Sequence, residues 1–158
     1  MNQLALKITS YSEATAEIEK IRQSVFQVEQ GVDPALDFDG LDQSAKHIVI
    51  YCNQEPVGTA RIRYLSSHLA KIERVAVLAA HRGQGLGKAI MQAAIEFLDQ
   101  NNVPESKVHA QSHAASFYQK LGFNPNGQEF YEAEILHIEM RRTHPNLKNE
   151  SCEQWLIK

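Results

Sequence analysis

At 158 residues, with 43% apolar and 22% charged side chains, the chain is long enough for one domain with a real core, and a disordered or fibrous protein is excluded. Its formal charge of −3 argues against non-specific nucleic-acid binding, which selects a basic face, but leaves room for a local basic pocket. No apolar run approaches the roughly 20 residues of a membrane-spanning helix. The opening residues 1–7 also lack the basic and apolar regions of a signal peptide, so a cytoplasmic protein without membrane partners is expected.

In chain order, Leu4, Leu6 and Ile8 alternate as a first strand with one buried face. Ser10 and Glu13 fit a capping box, and Ala14, Ile18, Ile21 and Val25 then share one helical face. Residues 29–42 are acidic and carry Gly31, Pro34 and Gly40, which predicts a loop with at most a short helix. Residues 47–52 and 57–64 read as a hairpin punctuated by Asn53-Gln54-Glu55-Pro56, and residues 72–78 as another strand. Beyond a glycine-rich turn, Leu86, Ile90, Ala94 and Phe97 recur at helical spacing up to Asn101-Asn102. A short strand over 107–111, a helix over 114–121 capped by Gly122, and a last strand through Leu136, Ile138 and Met140 complete the order.

The succession β-α-β-β-β-α-β-α-β is that of a mixed α/β single domain, here expected over residues 1–142 with a tail at 143–158. Trp155-Leu156-Ile157 in that tail either pack back on the domain or join a homodimer interface. Cys52 and Cys152 match no metal or redox spacing and are expected to be unpaired thiols.

The turn Arg82-Gly83-Gln84-Gly85-Leu86-Gly87 is the most informative segment. The dinucleotide fingerprint fails, because Lys88 stands where its third glycine belongs. The P-loop fails at both ends, with Arg82 at its first glycine and Ala89 at its magnesium-binding hydroxyl, which removes phosphoryl transfer as a function. What remains is a strand, a turn with alternating glycines and a long helix. Such a turn suits a pyrophosphate: its successive N–H groups form an anion site, and the helix start adds partial positive charge. Gly83 and Gly85 would admit phosphate oxygens, Gly87 would let helix and strand pack closely, and Arg82 and Lys88 would add flanking charge. A tight strand-to-helix turn with no ligand is the alternative.

Val75-Ala76-Val77 followed by Arg82-Gly83-Gln84-Gly85-Leu86-Gly87 resembles the acetyl-CoA signature of the GNAT superfamily of N-acetyltransferases, Gln/Arg-x-x-Gly-x-Gly/Ala after a strand. Residues 114–123, Ala-Ala-Ser-Phe-Tyr-Gln-Lys-Leu-Gly-Phe, are similar to the second GNAT motif, a helix end reading Ala-x-x-Phe-Tyr-x-x-x-Gly-Phe. Residues 25–30, Asp39, Asp42 and residues 132–140 resemble the ElaA/YjcF-like group, so the resemblance covers roughly residues 20–142. It implies a GNAT-like fold, with a mixed, mostly antiparallel central sheet that splays after the fourth strand and is flanked by helices. It also implies transfer of acetyl from acetyl-CoA, as co-substrate and without a metal, to a small-molecule or peptide amine in a ternary complex. A non-catalytic acyl-CoA-binding sensor is the alternative.

On that resemblance, backbone at Val75, Ala76 and Val77 holds the pantetheine arm, and the amides of Gly83, Gln84, Gly85, Leu86, Gly87 and Lys88 hold the pyrophosphate. Tyr118 matches the tyrosine that protonates the leaving thiolate; its alternative is an aromatic packed at a helix end. Gln111 stands where many members carry a coenzyme-contacting asparagine. For the base there are two candidates. Glu73 lies on the strand before the turn, or is instead salt-bridged to Arg74 or Arg61; His137 lies on the polar face of the last strand, where an imidazole titrates in the useful range. His109 and His113 have i, i+4 spacing but no third ligand, so no metal is expected. The acidic stretch Glu29, Asp33, Asp37, Asp39 and Asp42 either attracts a cationic acceptor or is a solvated loop.

Overall fold

β-Branched and apolar runs at period two become strands here, and the 3.6-period runs become helices. The structure, a computed structural model, describes residues 2–147, so Cys152 and Trp155-Leu156-Ile157 lie outside the described residues. Its elements are β1 (Leu4–Ser10), α1 (Thr15–Arg22), a π-helical continuation (Gln23–Glu29), α2 (Pro34–Asp37), β2 (Lys46–Cys52), β3 (Glu55–Tyr64), β4 (Leu69–Val77), α3 (Leu86–Gln100), β5 (Glu105–Gln111), α4 (Ala115–Gln119), β6 (Asn124–Pro125), β7 (Phe130–Glu132) and β8 (Ile135–Thr143). Strand order is β1-β2-β3-β4-β5-β8-β6, with β7 also paired to β8, in a mixed and mostly antiparallel sheet. The parallel β4–β5 ladder pairs Leu69 with Glu105, Ala70 with Ser106 and Lys71 with Lys107; β4 runs on to Val77 beyond it, as a splayed sheet requires.

The chain divides into two compact units, one comprising residues up to Arg63 with Ile72–Ala94, the other Tyr64–Lys71 with the residues from Ile95 onward. In the first, the predicted helical face Ala14, Ile18, Ile21 and Val25 is buried with Val49 and Ala76, and Tyr11, Phe26, Tyr51 and Leu78 pack around it. The capping box does not form. The N-cap is Ala14, Glu13 instead accepts a bond from Thr9 Oγ1 at 3.2 Å, and the chain turns once before the helix through Ala14 N–H to the Tyr11 carbonyl at 3.2 Å. The β2–β3 hairpin is tighter than expected. Asn53 and Gln54 are both left-handed, at φ 52° and 73°, in a two-residue turn whose twist matches the strands, so Glu55 and Pro56 already belong to β3.

Gly58 on β3 is required by close approach. A Cβ there would sit 2.8 Å from Ile90 Cδ1, 2.9 Å from Ile50 Cγ2 and 3.2 Å from the Ala76 carbonyl oxygen. Gly58→Ala is expected to lower stability by about 1–3 kcal/mol through overpacking. The readout is a lower urea midpoint at unchanged slope.

In the second unit, Ala70 of β4, Val108 and Ala110 of β5, Met140 of β8, Leu98, Val103 and Phe123 are the buried apolar residues among those described. β5 and β8 pair antiparallel from Glu105↔Thr143 to Gln111↔His137, which leaves Lys107, His109 and Gln111 beside Arg141, Glu139 and His137. The β7–β8 hairpin lacks the usual turn signal in the sequence. It closes through Ala133 and Glu134, left-handed at φ 50° and 65°, where asparagine or glycine is the usual signal.

Candidate active site

β4 ends where the Leu78 N–H donates to the Val57 carbonyl at 2.9 Å, and the chain then enters the glycine turn. Gly83 and Gly85 are left-handed, at φ +78° and +79°, which glycine adopts freely. A Cβ at either would meet nothing within 4 Å, so conformation rather than crowding demands glycine, and the space in front of the turn is open. The first rung of α3 is Ala89 N–H to the Gly85 carbonyl at 3.0 Å. The amides of Leu86, Gly87 and Lys88 therefore precede the helical ladder and are available, with the positive end of the helix dipole, to an anion. This open cradle of amides fits the pyrophosphate of a coenzyme.

Arg82 is engaged rather than a free flanking charge. Its Nη1 and Nη2 grip Glu29 at 2.6 and 2.7 Å, and its Nε donates to the Val77 carbonyl at 3.0 Å. The pair braces the turn against the end of the π-helix; Arg82 holds Glu29 below the usual carboxylate range. Lys88 is exposed.

Glu73 is buried and lies in an ion-pair network whose members are far apart in the sequence. Arg61 donates to Glu73 Oε2 through both Nε and Nη2, while Arg63 reaches Glu73 Oε1 through Nη2 at 2.9 Å. Arg61 also contacts Asp39 at 2.8 Å and Asp42 at 3.0 Å. Arg22 contacts Asp42 at 2.5 Å and Asp37 at 3.0 Å. Arg74 turns away from Glu73: its Nη2 donates to the Leu36 carbonyl at 2.9 Å and to Asp39 at 3.2 Å, and its Nε lies 3.3 Å from Asp37. Arg74 itself is left-handed within β4, at φ +54°, the kind of local kink that re-aims the residues beyond it, here Val75 to Val77. Four arginines thus meet four carboxylates. The acidic segment stays largely exposed, as a solvated loop would, but its charges are engaged: Asp37, Asp39 and Asp42 are paired with arginines, Asp33 caps α2 and Glu29 holds Arg82.

In the second unit, α4 ends in a Schellman motif. Gly122, at φ +97°, donates to the Gln119 carbonyl at 3.1 Å, and Phe123 N–H donates to the Tyr118 carbonyl at 3.1 Å. The Tyr118 ring packs edge-on against Phe117 and Phe123, with centroids 5.0 and 6.1 Å apart. Burial pushes the phenol up to about 12. No hydrogen bond to its hydroxyl is formed among the described residues.

Gln111 ends β5 in register with His137. His137 is buried, and its Nδ1 lies 2.7 Å from the Ile135 carbonyl oxygen, which can only accept. Nδ1 therefore carries the hydrogen, and in the neutral ring Nε2 is the lone-pair nitrogen. His109 sits between two carboxylates, Nδ1 at 3.4 Å from Glu132 Oε1 and Nε2 at 3.3 Å from Glu139 Oε1. Burial pulls the Glu139 carboxyl upward, but bonds from Asn126, Lys107 and Arg141 outweigh it and hold it at about 2. Among the described residues no group of three His, Cys, Asp or Glu is arranged to hold a metal, and no helix is long and apolar enough to cross a membrane.

A strand re-aimed by a left-handed residue, an open glycine turn and the start of a long helix together form a cradle of backbone amides suited to an anionic, phosphate-bearing ligand. The family model for the acetyltransferase (GNAT) domain matches residues 10–144, and the chain belongs to this family of acyl-CoA-dependent transferases. It is 41% identical to the uncharacterized protein YyaT of Bacillus subtilis over 126 residues, 78% of this chain and 84% of that one. It is 34% identical to the uncharacterized N-acetyltransferase YjcF of the same organism over 123 residues, 77% and 87% of the two chains. The crystal structure of Escherichia coli ElaA superposes with a TM-score of 0.78 at 32% identity, covering 87% of this chain and 99% of that one.

Proposed function

We propose that the protein is an acetyl-CoA-dependent N-acetyltransferase in which an amine attacks directly within a ternary complex. The observation that carries this reading is the pair of left-handed glycines, Gly83 and Gly85, opening α3 in front of unfilled space. Bound acetyl-CoA supplies the acetyl group as an activated thioester. Amides of Gly83, Gln84, Gly85, Leu86, Gly87 and Lys88 hold the pyrophosphate, and Val75, Ala76 and Val77 present backbone to the pantetheine arm, with one amide facing the thioester oxygen. Gln111 offers a further amide.

Tyr118 gives the proton to the departing sulfur: a phenol is protonated at neutral pH even at its ordinary value, and burial raises that value further. His137 Nε2 takes the proton released by the acceptor, which the bond fixing hydrogen on Nδ1 supports. For Glu73 the occupation of both oxygens by Arg61 and Arg63 supports a structural part.

Saturating acetyl-CoA is expected to raise the melting temperature by roughly 5–10 °C at a hundredfold excess over Kd, while ATP and NAD leave it unchanged. No shift with acetyl-CoA would sink the reading. Release of free CoA on adding amines (polyamines, amino sugars, peptide N-termini) then separates transfer from binding alone.

A further inference from the structure

In the second unit, His137 on β8, the base proposed above, belongs to a larger cluster with two groups that have no part in that reading, Glu132 on β7 and His109 on β5, all walled by Phe130. Glu132 uses its two oxygens differently. Oε1 faces His109 Nδ1 at 3.4 Å, which orients the carboxylate, and Oε2 is directed at His137 Nε2 from 3.8 Å. That second separation is too long for a direct hydrogen bond. Yet Nε2 is the lone-pair nitrogen of a ring that is more than nine-tenths buried, and it has no hydrogen-bond partner among the described residues. A single nitrogen carrying several hydrogens, placed about 2.8 Å from both atoms, would satisfy the carboxylate and the imidazole at once.

We infer that Glu132 and His137 form the receiving site for the acceptor, and that the acceptor enters as a primary ammonium. Glu132 Oε2 binds its charge. One N–H proton then passes to His137 Nε2, leaving a neutral amine with a free electron pair and an imidazolium whose Nδ1–H stays on the Ile135 carbonyl. The acceptor class follows from the partners. An anion would be repelled by Glu132, and a neutral alcohol offers neither the charge nor the second donor.

Glu132 is kept ionised, since the His109 bond first and then the nearby Lys71 charge hold its carboxyl below the usual range, against the effect of burial. His109 is itself held from the other side by Glu139, which also takes Lys107 at 3.0 Å and Asn126 at 2.5 Å. Phe130 lies parallel to the His137 ring, with centroids 6.0 Å apart, and edge-on to His109 at 5.0 Å. Its ring offers an apolar surface to the carbon chain that carries the ammonium.

The inference rests on the amine acceptor proposed above, but it is tested without the coenzyme. In wild-type protein, n-butylammonium chloride is expected to shift the imidazole NMR resonances of His137, assigned by comparison with His137→Gln, whereas n-butanol leaves them in place. Glu132→Gln, a change at a half-exposed side chain, is expected to weaken n-butylammonium binding about five- to tenfold while the acetyl-CoA melting shift persists. Equal shifts with n-butanol, no shift with n-butylammonium, or unchanged affinity in Glu132→Gln would each overturn it. Loss of the acetyl-CoA melting shift in wild type would instead count against the coenzyme reading, and the ammonium titration would stand apart from that result.

Discussion

Arg61→Met is expected to cost about 3–5 kcal/mol of folding free energy and to lower the melting midpoint by about 10 °C. Methionine fills most of the volume, so the loss comes from charge. Arg61 is fully buried and touches Asp39, Asp42 and Glu73, which would be left facing one another. Arg22 still holds Asp42 and Arg63 still holds Glu73, so Arg61→Met, Glu73→Gln is expected to recover part of the loss by removing one stranded carboxylate. The same network shapes the acid limb. Arg61 first, against burial, holds the Asp39 carboxyl well below its ordinary 3.8. A depressed carboxyl stabilises the fold above its unfolded value, and that contribution is lost as pH falls toward the folded one. The limb below 3.8 should therefore flatten in the methionine variant. A midpoint within about 2 °C of wild type would show that the network adds little to stability.

Tyr118→Phe is expected to lower turnover about a hundredfold, the lower end of what a positioned general acid contributes, with the acetyl-CoA Kd nearly unchanged. Phenylalanine keeps the ring and its edge-on contacts with Phe117 and Phe123, so packing at the end of α4 should survive. Only the hydroxyl is removed. Melting temperature and coenzyme titration control for structure, and single-turnover kinetics isolate the chemical step from release. An unchanged single-turnover rate would take Tyr118 out of the mechanism and leave it as a packed aromatic.

What could be read in the sequence was local. The face Ala14, Ile18, Ile21 and Val25, the glycines of the turn and the Gly122 cap each announce themselves within a few residues, and the structure forms all three. The arginine network was harder, because its members are spread from Arg22 to Arg74 and meet only after folding. Arg61 and Arg63 alternate with Ala60 and Ile62 in β3, a pattern that equally fits a strand with one solvated face, so the burial of Arg61 shows only in the fold. The segment carrying Asp37, Asp39 and Asp42 supplies two of its counter-charges there. The β7–β8 hairpin escaped because Ala133-Glu134 takes a left-handed turn without left-handed residue types. With β7 unseen, Glu132 could not be placed beside His109 and His137.

Arg74 carries one more consequence, for how the chain finds its pairing. A regular strand can slide by two residues and keep every side chain on its face. In β4 such a slip would move the left-handed position onto another residue and carry the Arg74 guanidinium about 7 Å from the Leu36 and Asp37 carbonyls that receive it. The kink and its anchor therefore act as a ratchet tooth, making the shifted alignments of β4 poor competitors during folding.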